Sequence, residues 1–393
     1  MKVLVADKFE KVGLDGLKAL GVEVLSDPSL KEQALEDKIR EYQPEILVVR
    51  STKVTAPMVT GTSLKLVIRA GAGVNTIDVE AATKNGVAVA NCPGKNAIAV
   101  AELAFGLMLS IDRHIPECVG ELRRGRWNKA AFSKARGLFG RTLGLIGLGN
   151  IAQEMVPRAQ AFGMRVIAYS RWLSPDVAGA LGIGRCESVD EVAERSDFVS
   201  VHVSLNPGTR GMIGKSFFEA MKPGAVFINT SRAEVVDTTA LLEALDSKPI
   251  FAGLDVFEDE PAAAEGTYEG PMKDHPHVYC THHIGASTEQ AQEAVAIETV
   301  RIVEAFVKSG AVLNEVNTAK SGPIAAVLAV RHDGKTLGAV QRALVQMGFT
   351  PGEAEHVKIP QGLISKLALD RVPGPADLRA LRRVDGVFDA TLC

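Results

Sequence analysis

Residues 143–152 read LGLIGLGNIA, an apolar run that passes directly into Gly147-x-Gly149-x-x-Ala152. Gly147 permits a tight turn, Gly149 lets the backbone come close to a pyrophosphate, and Ala152 is small enough for a following helix to pack on the strand. The pyrophosphate then meets the free N–H groups at the start of that helix. A glycine pattern of this kind carries weight only in context. Here a strand precedes it, a helical pattern follows, and a second β-branched run (165–169, RVIAY) comes next. The segment therefore predicts the first βαβ unit of a dinucleotide-binding sheet.

The same alternation extends in both directions. Upstream, residues 3–6, 45–49, 66–69 and 87–90 are short apolar, β-branched runs that read as buried parallel strands, and 31–41 reads as an amphipathic helix between two of them. Residues 97–124 read as one long helix whose first half, AIAVAELAFGLMLS, is apolar almost all round and should be buried, in part against a second subunit. Downstream, 142–146, 165–169, 198–203, 225–230 and 251–254 read as strands, 238–245 as a helix, and 289–310 as another long helix. Strands alternating with helices imply parallel sheets covered on both faces. Residues 317–323 (NTAKSGP) form a polar linker, after which the pattern becomes strand 324–331, helix 336–347, strands 355–359 and 363–370, helix 375–383 and strand 388–392. That order is a small ferredoxin-like βαββαβ unit.

Bulk properties narrow the function. With 46% apolar and 23% charged residues the chain reads as globular, and at 393 residues as two or three domains. A net charge of −3, with basic residues dispersed, gives no footprint for nucleic acid or an anionic membrane. No apolar run approaches the ~20 residues of a membrane span, and MKVLVAD at the start is a strand rather than a signal peptide. Five dispersed cysteines without a CxxC pair point to a reducing, cytoplasmic setting and no structural metal.

Three residues far apart stand after strand-like stretches of the second series: Arg232 in NTSRAEVVD, Glu260 in LDVFEDEP and His283 in THHIGAST. In open α/β sheets the ligand crevice lies outside the carboxyl ends of the strands, so all three can converge on one ligand. Singly each is unremarkable; jointly they suggest a site.

These stretches, with RSTKVT (50–55), RAGAGVNTIDVEAA (69–82) and NCPGKNAIAVAE (91–102), occur in an order that resembles the D-2-hydroxyacid dehydrogenase family over residues 1–317, most closely its members that oxidise 3-phosphoglycerate. The last seventy or so residues resemble the ACT-type unit that several of those members carry. The resemblance implies an α/β protein with two doubly wound, Rossmann- or flavodoxin-like domains. Residues 1–98 and 285–317 would form a substrate domain, 99–284 a nicotinamide dinucleotide domain inserted into it, and 318–393 an ACT-like α+β unit. It further implies an active site in the cleft between the two larger domains, and a homodimer or homotetramer.

The implied reaction is hydride transfer between C2 of a small anionic 2-hydroxy acid and NAD(P)(H). The first choice of substrate is 3-phosphoglycerate, in serine biosynthesis; glyoxylate or hydroxypyruvate reduction is the alternative. A dinucleotide-sensing protein like the C-terminal-binding-protein corepressors shares the Arg/Glu/His set, but this chain ends in a compact unit. By the same resemblance Arg232 binds the substrate carboxylate and C2 oxygen, His283 exchanges the hydroxyl proton, and Glu260 orients the imidazole and stabilises its charged form. Dinucleotide contacts are expected from Gly147, Gly149, Asn150, Ile151, Ser170, Arg171, Val203, Thr230, Ser231, Asp255, Gly285 and Ala286. Substrate contacts are expected from Arg50, Ser51, Lys53, Arg69, Ala72, Gly73, Val74 and Asn96, the arginines and Lys53 for a phosphate.

Five departures from the family pattern bear on function. His282 replaces the usual Pro, so two histidines compete; His283 keeps the spacing to Ile284-Gly285. Ala233 replaces the Gly after the arginine, which tightens that loop and leaves Arg232 in place; Asn75 replaces an Asp, a change with no physical explanation. Ser170 replaces the Asp that usually excludes the 2′-phosphate of NADP, and Arg171 follows it, which favours acceptance of NADP. The loop 332–336 lacks the Pro-Gly of amino-acid-binding ACT units, so a role in assembly is expected and an amino-acid effector such as serine is left open.

Overall fold

The structure is a computed structural model and describes residues 1–171, 173–261, 265–317, 324–359 and 362–392, the side chains of 353 and 355 aside. The chain divides into two compact units, Met1–Ala99 with Ala286–Lys320, and Val100–Gly285 with Ser321–Cys393.

The first unit holds strands β1 (Lys2–Val5), β2 (Glu23–Ser26), β3 (Ile46–Val49), β4 (Leu66–Arg69) and β5 (Ala88–Asn91). They form one parallel sheet in the order β2-β1-β3-β4-β5. Every residue of β3 is buried, as it must be in a sheet covered on both faces. One apolar cluster gathers the Glu32–Tyr42 helix, through Leu35 and Ile39, and another gathers the Glu289–Ser309 helix, through Ile302 and Val303. The latter helix starts on a Thr288 cap and stops at Gly310, whose φ of 72° is the left-handed conformation a glycine supplies freely. The edge strand β2 was not evident in the sequence. It is four residues long, pairs on one side only and has no fully buried position, so it carries no apolar run.

The second unit holds β6 (Thr142–Ile146), β7 (Arg165–Tyr169), β8 (Gly184–Arg185), β9 (Phe198–Val201), β10 (Val226–Asn229), β11 (Phe251–Leu254) and β12 (Val278–Cys280). Their order is β12-β11-β10-β9-β6-β7-β8, all parallel. The chain leaves β6 in one direction and returns to its other side at β9, so the strand order reverses there and opens a crevice at their carboxyl ends. The stretch 97–124 is two helices rather than one, Ala97–Arg113 and Ile115–Arg123. His114 between them is left-handed (φ 49°), and Pro116 opens the second, which cannot continue the hydrogen-bond ladder of the first. Ala101, Ala104, Phe105, Met108 and Ile111 of the first are buried, as their pattern predicts.

The C-terminal residues form β13 (Ala326–His332), β14 (Pro351–Ile359), β15 (Gly362–Leu369) and β16 (Val387–Leu392), with helices Leu337–Gln346 and Pro375–Leu381. The sheet is antiparallel in the order β14-β15-β13-β16. Leu328, Val330, Leu367 and Leu369 join Val340, Leu344 and Leu381 of the helices in a separate core. Val357, Ile359 and Ile364 instead share a cluster with Ala152, Met155 and Val156. There the Gln153 amide donates to the His356 carbonyl (2.8 Å) and accepts from Lys358 N–H (3.1 Å). The linker reading for residues 318–323 lies outside the described residues. No helix among the described residues is long and apolar enough to cross a membrane.

Candidate active site

The glycine-rich turn is built around close approach. β6 ends at Ile146, and Gly147 has a φ of 87° with its N–H on the Tyr169 carbonyl at 2.8 Å. A Cβ on Gly147 would lie 2.7 Å from the His202 carbonyl oxygen and 2.9 Å from Val203, so no larger residue fits. At Gly149 a Cβ would meet nothing within 4 Å: the backbone faces open space. Gly149 caps the Asn150–Ala161 helix without a side-chain hydrogen bond, leaving the N–H groups of its first turn without a capping side chain. Ala152 is fully buried. The Thr230 hydroxyl, at the end of β10, is buried and makes no hydrogen bond among the described residues. Open backbone at a helix N-terminus, a glycine that admits nothing larger and a polar group awaiting a partner together fit a dinucleotide. Ser170 stands at the end of β7, half-buried, and Arg171 after it is exposed.

Arg232 is presented by a turn that Asn229 folds. The Asn229 amide, nearly fully buried, donates to the Arg232 carbonyl (2.9 Å) and accepts from the Ser231 N–H (3.0 Å) and hydroxyl (2.8 Å). Asp255, just after β11 and 1% exposed, accepts the Thr281 hydroxyl (2.6 Å) and Ile284 N–H (2.9 Å) on one oxygen and Gly285 N–H (2.8 Å) on the other. Its carboxylate therefore holds the 281–285 loop rather than standing open to a ligand. On that loop His283 adopts φ 50°, the left-handed region that residues other than glycine take uncommonly.

His283 Nδ1 lies 2.8 Å from Glu260 Oε2, and Glu260 Oε1 accepts the Phe257 N–H at 2.9 Å. Burial by itself would raise the Glu260 carboxyl, but the His283 bond, the Phe257 N–H and the Arg232 charge together hold it below its ordinary value. An ionised carboxylate only accepts, so Nδ1 carries the proton and Nε2 is the atom left for exchange. His282 is exposed and makes no hydrogen bond among the described residues. Glu260 and His283 are thus together, and Arg232 is close enough for its charge to act on Glu260. No group of His, Cys, Asp or Glu among the described residues is arranged to hold a metal.

Ala286, expected to contact the dinucleotide, belongs to the first unit, as do the expected substrate residues. The 71–74 segment there is held from outside: Asn91 donates to the Ala72 carbonyl (2.6 Å) and Cys92 N–H to the Gly71 carbonyl (2.9 Å). The N–H groups of Ala72, Gly73 and Val74 donate to no described residue, which leaves three adjacent donors for an anion. Arg69 folds over Gly71, where a Cβ would fall 1.5 Å from its guanidinium. Arg50 is half-buried after β3, Asn96 is half-buried, and Ser51 and Lys53 are exposed. The sequence alone assigns no role to Asn229, within NTSRAEVVD, or to Asp7, which binds the 50–52 turn. Neither carries a local sequence signal, since each acts on backbone distant in sequence or hidden in a turn.

Known proteins bear on this geometry. The D-isomer specific 2-hydroxyacid dehydrogenase NAD binding domain matches residues 105–285. A D-3-phosphoglycerate dehydrogenase of Methanocaldococcus jannaschii is 40% identical over 320 residues, 81% of this chain and 59% of that protein. A hydroxypyruvate reductase of Thermotoga maritima is 43% identical over 274 residues, 68% of this chain and 87% of that protein. The crystal structure of a Thermus thermophilus protein aligns with a TM-score of 0.71 at 32% identity, over 80% of this chain and 100% of that one. The chain spans about three-fifths of the length of the phosphoglycerate dehydrogenases it matches, 59% for the archaeal one and for that of Bacillus subtilis. Sheet order, glycine-rich turn and these relatives agree: the chain belongs to the D-2-hydroxyacid dehydrogenase family.

Proposed function

We propose that the protein oxidises the C2 hydroxyl of 3-phosphoglycerate reversibly, with a nicotinamide dinucleotide as hydride acceptor. The observation that carries this reading is the Glu260–His283 hydrogen bond on a loop after β12 that Asp255 fastens. Gly147, Gly149 and the first turn of the Asn150–Ala161 helix would hold the pyrophosphate, with Thr230 and Ser231 at the end of β10. A nicotinamide bound there would supply the hydride acceptor for C2, or the donor in the reverse direction.

The chain's own groups do the rest. Arg232 pairs its planar fork with the substrate carboxylate and polarises the C2 oxygen. His283 Nε2 takes the hydroxyl proton during oxidation and gives it back during reduction, while Nδ1 stays on Glu260. In the first unit the N–H groups of Ala72, Gly73 and Val74 are offered to an anion, and Arg50, Lys53 and Arg69 to a phosphate dianion. A steady-state panel of 3-phosphoglycerate, glycerate, lactate and 2-hydroxyglutarate, each with NAD and NADP, tests the proposal. A kcat/KM that does not favour the phosphorylated substrate overturns it. The second reading, hydroxypyruvate reduction, is favoured by the Thermotoga relative, of which this chain covers 87%.

Ser170 and Arg171 lack the carboxylate that repels a 2′-phosphate, so NADP is accepted. The exposed Ile115, Val119, Leu122, Trp127 and Phe139 are an apolar set that suits a homo-oligomer. Cys92, Cys118, Cys186 and Cys280 are free, which suits the cytoplasm.

A further inference from the structure

In the first sheet the strand order reverses between β1 and β3, whose carboxyl ends flank the crevice where such sheets bind ligands. A single side chain spans that point. Asp7 stands two residues beyond the end of β1 and is only 9% exposed. Its Oδ2 accepts three consecutive N–H groups just past β3, those of Arg50 (2.6 Å), Ser51 (3.1 Å) and Thr52 (3.1 Å). Its Oδ1 accepts the hydroxyls of Ser51 (3.1 Å) and Thr52 (3.0 Å). A carboxylate has about four lone-pair sites, so these five donors fill it. Successive N–H groups converging on one anion form a nest, the arrangement other α/β proteins use for a phosphate.

This limits what the 50–53 turn can still offer a ligand. Its main-chain donors already face the protein's own carboxylate, so the turn reads a substrate through its side chains, Arg50 and Lys53. Their starting points are fixed by the five bonds. The turn is also clamped on its far side, where Val54 N–H donates to Thr76 and Asp78 N–H to Val54, both at 2.9 Å. We propose that Asp7 is a positioning residue of the substrate site: it sets the 50–53 turn so that Arg50 meets the phosphate of the substrate. This rests on the phosphoglycerate reading above.

The test compares Asp7→Asn, Arg50→Ala and the double variant, with kcat and KM measured for 3-phosphoglycerate and for unphosphorylated glycerate. Asp7→Asn keeps the shape but replaces an acceptor by a donor facing N–H groups. It should raise KM for 3-phosphoglycerate about tenfold with kcat nearly unchanged, the signature of lost uniform binding, and change KM for glycerate less than about twofold. In the double variant KM should match that of Arg50→Ala alone, because Asp7 acts through Arg50. A residue that only supports the fold would affect both substrates alike and add to Arg50→Ala. Thr52→Val removes one of the five bonds at nearly constant shape; it should show the same pattern more weakly, and it serves if Asp7→Asn fails to fold. Equal effects on both substrates, or additivity, overturn the positioning role. If Arg50→Ala itself fails to discriminate, the phosphate reading falls and this proposal with it. If Arg50→Ala discriminates and neither Asp7→Asn nor Thr52→Val does, only the role of Asp7 is lost.

Discussion

Glu298 provides a stability prediction whose size follows from the structure. It lies in the Glu289–Ser309 helix, 4% exposed, and gathers Arg301 (2.5 and 3.0 Å), Asn314 (2.8 Å) and Lys95 (3.2 Å) on one carboxylate. The Arg301 bond is the largest influence; burial opposes it, and Asn314 and Lys95 add to it, so that the carboxyl is held down from 4.5 to about 2. A carboxyl with a lowered folded pKa stabilises the fold above its unfolded pKa and loses that contribution as pH falls through the folded one. At about 1.4 kcal/mol per unit, the shift corresponds to about 3 kcal/mol near neutral pH and about 2 kcal/mol at about pH 3.5. Glu298→Gln should therefore destabilise the first unit by about 3 kcal/mol near neutrality, with the gap to the parent narrowing in acid. Both tryptophans, Trp127 and Trp172, fall within the sequence of the other unit, so intrinsic fluorescence would miss the effect. Hydrogen exchange of peptides covering β1, β3 and β4, followed through a urea titration at both pH values, reads it directly. A neutral-pH difference below about 0.5 kcal/mol, or one that does not change with pH, would refute the reasoning.

Three other outcomes are expected. His283→Ala should lower kcat by about 10² to 10⁴ while His282→Ala does far less, since only His283 has the Glu260 partner; steady-state rates with the opposite ranking would reverse the assignment. Ser170→Asp should shift the NAD over NADP ratio of kcat/KM towards NAD by about tenfold or more, by setting a carboxylate against the 2′-phosphate; an unchanged ratio means that another group reads the ribose. Serine should not inhibit, because Asp333 already takes the N–H groups of Lys335 (2.8 Å) and Thr336 (3.1 Å) and the Thr336 hydroxyl (2.8 Å). Inhibition that disappears on removing residues 318–393 would show that the loop binds an amino acid without the Pro-Gly.

Much of the fold was legible because parallel strands buried on both faces write continuous apolar runs. β3, β4, β6 and β10 could each be placed within a residue or two for that reason. Three of the edge strands escape this logic: β2, β8 and β12 pair on one side, stay partly exposed and need no such run. The break at His114 was hidden because apolar periodicity carries through a left-handed residue when the next helix resumes at once. In the site, Arg232, Glu260 and His283 stood out through their motifs.

The residues that hold these groups in place stayed silent, and for a common physical reason. At the carboxyl end of a parallel strand the ladder stops while the backbone is still close-packed, so its N–H groups need acceptors from elsewhere. Asp7 supplies them beyond β1, Asn229 as the last residue of β10, and Asp255 directly after β11. Each sits at or near the end of one strand, and Asp7 and Asp255 fix a loop belonging to another, 43 and 26 residues away in the closest cases. The pairing follows from strand adjacency, β1 with β3 and β11 with β12, which no local spacing in the sequence encodes. On the proposed function two kinds of residue matter: cations and an imidazole for the ligand, and acceptors that face the backbone beneath them. Substituting the first kind should remove an interaction with substrate. Substituting the second should leave the chemistry in place and misplace it.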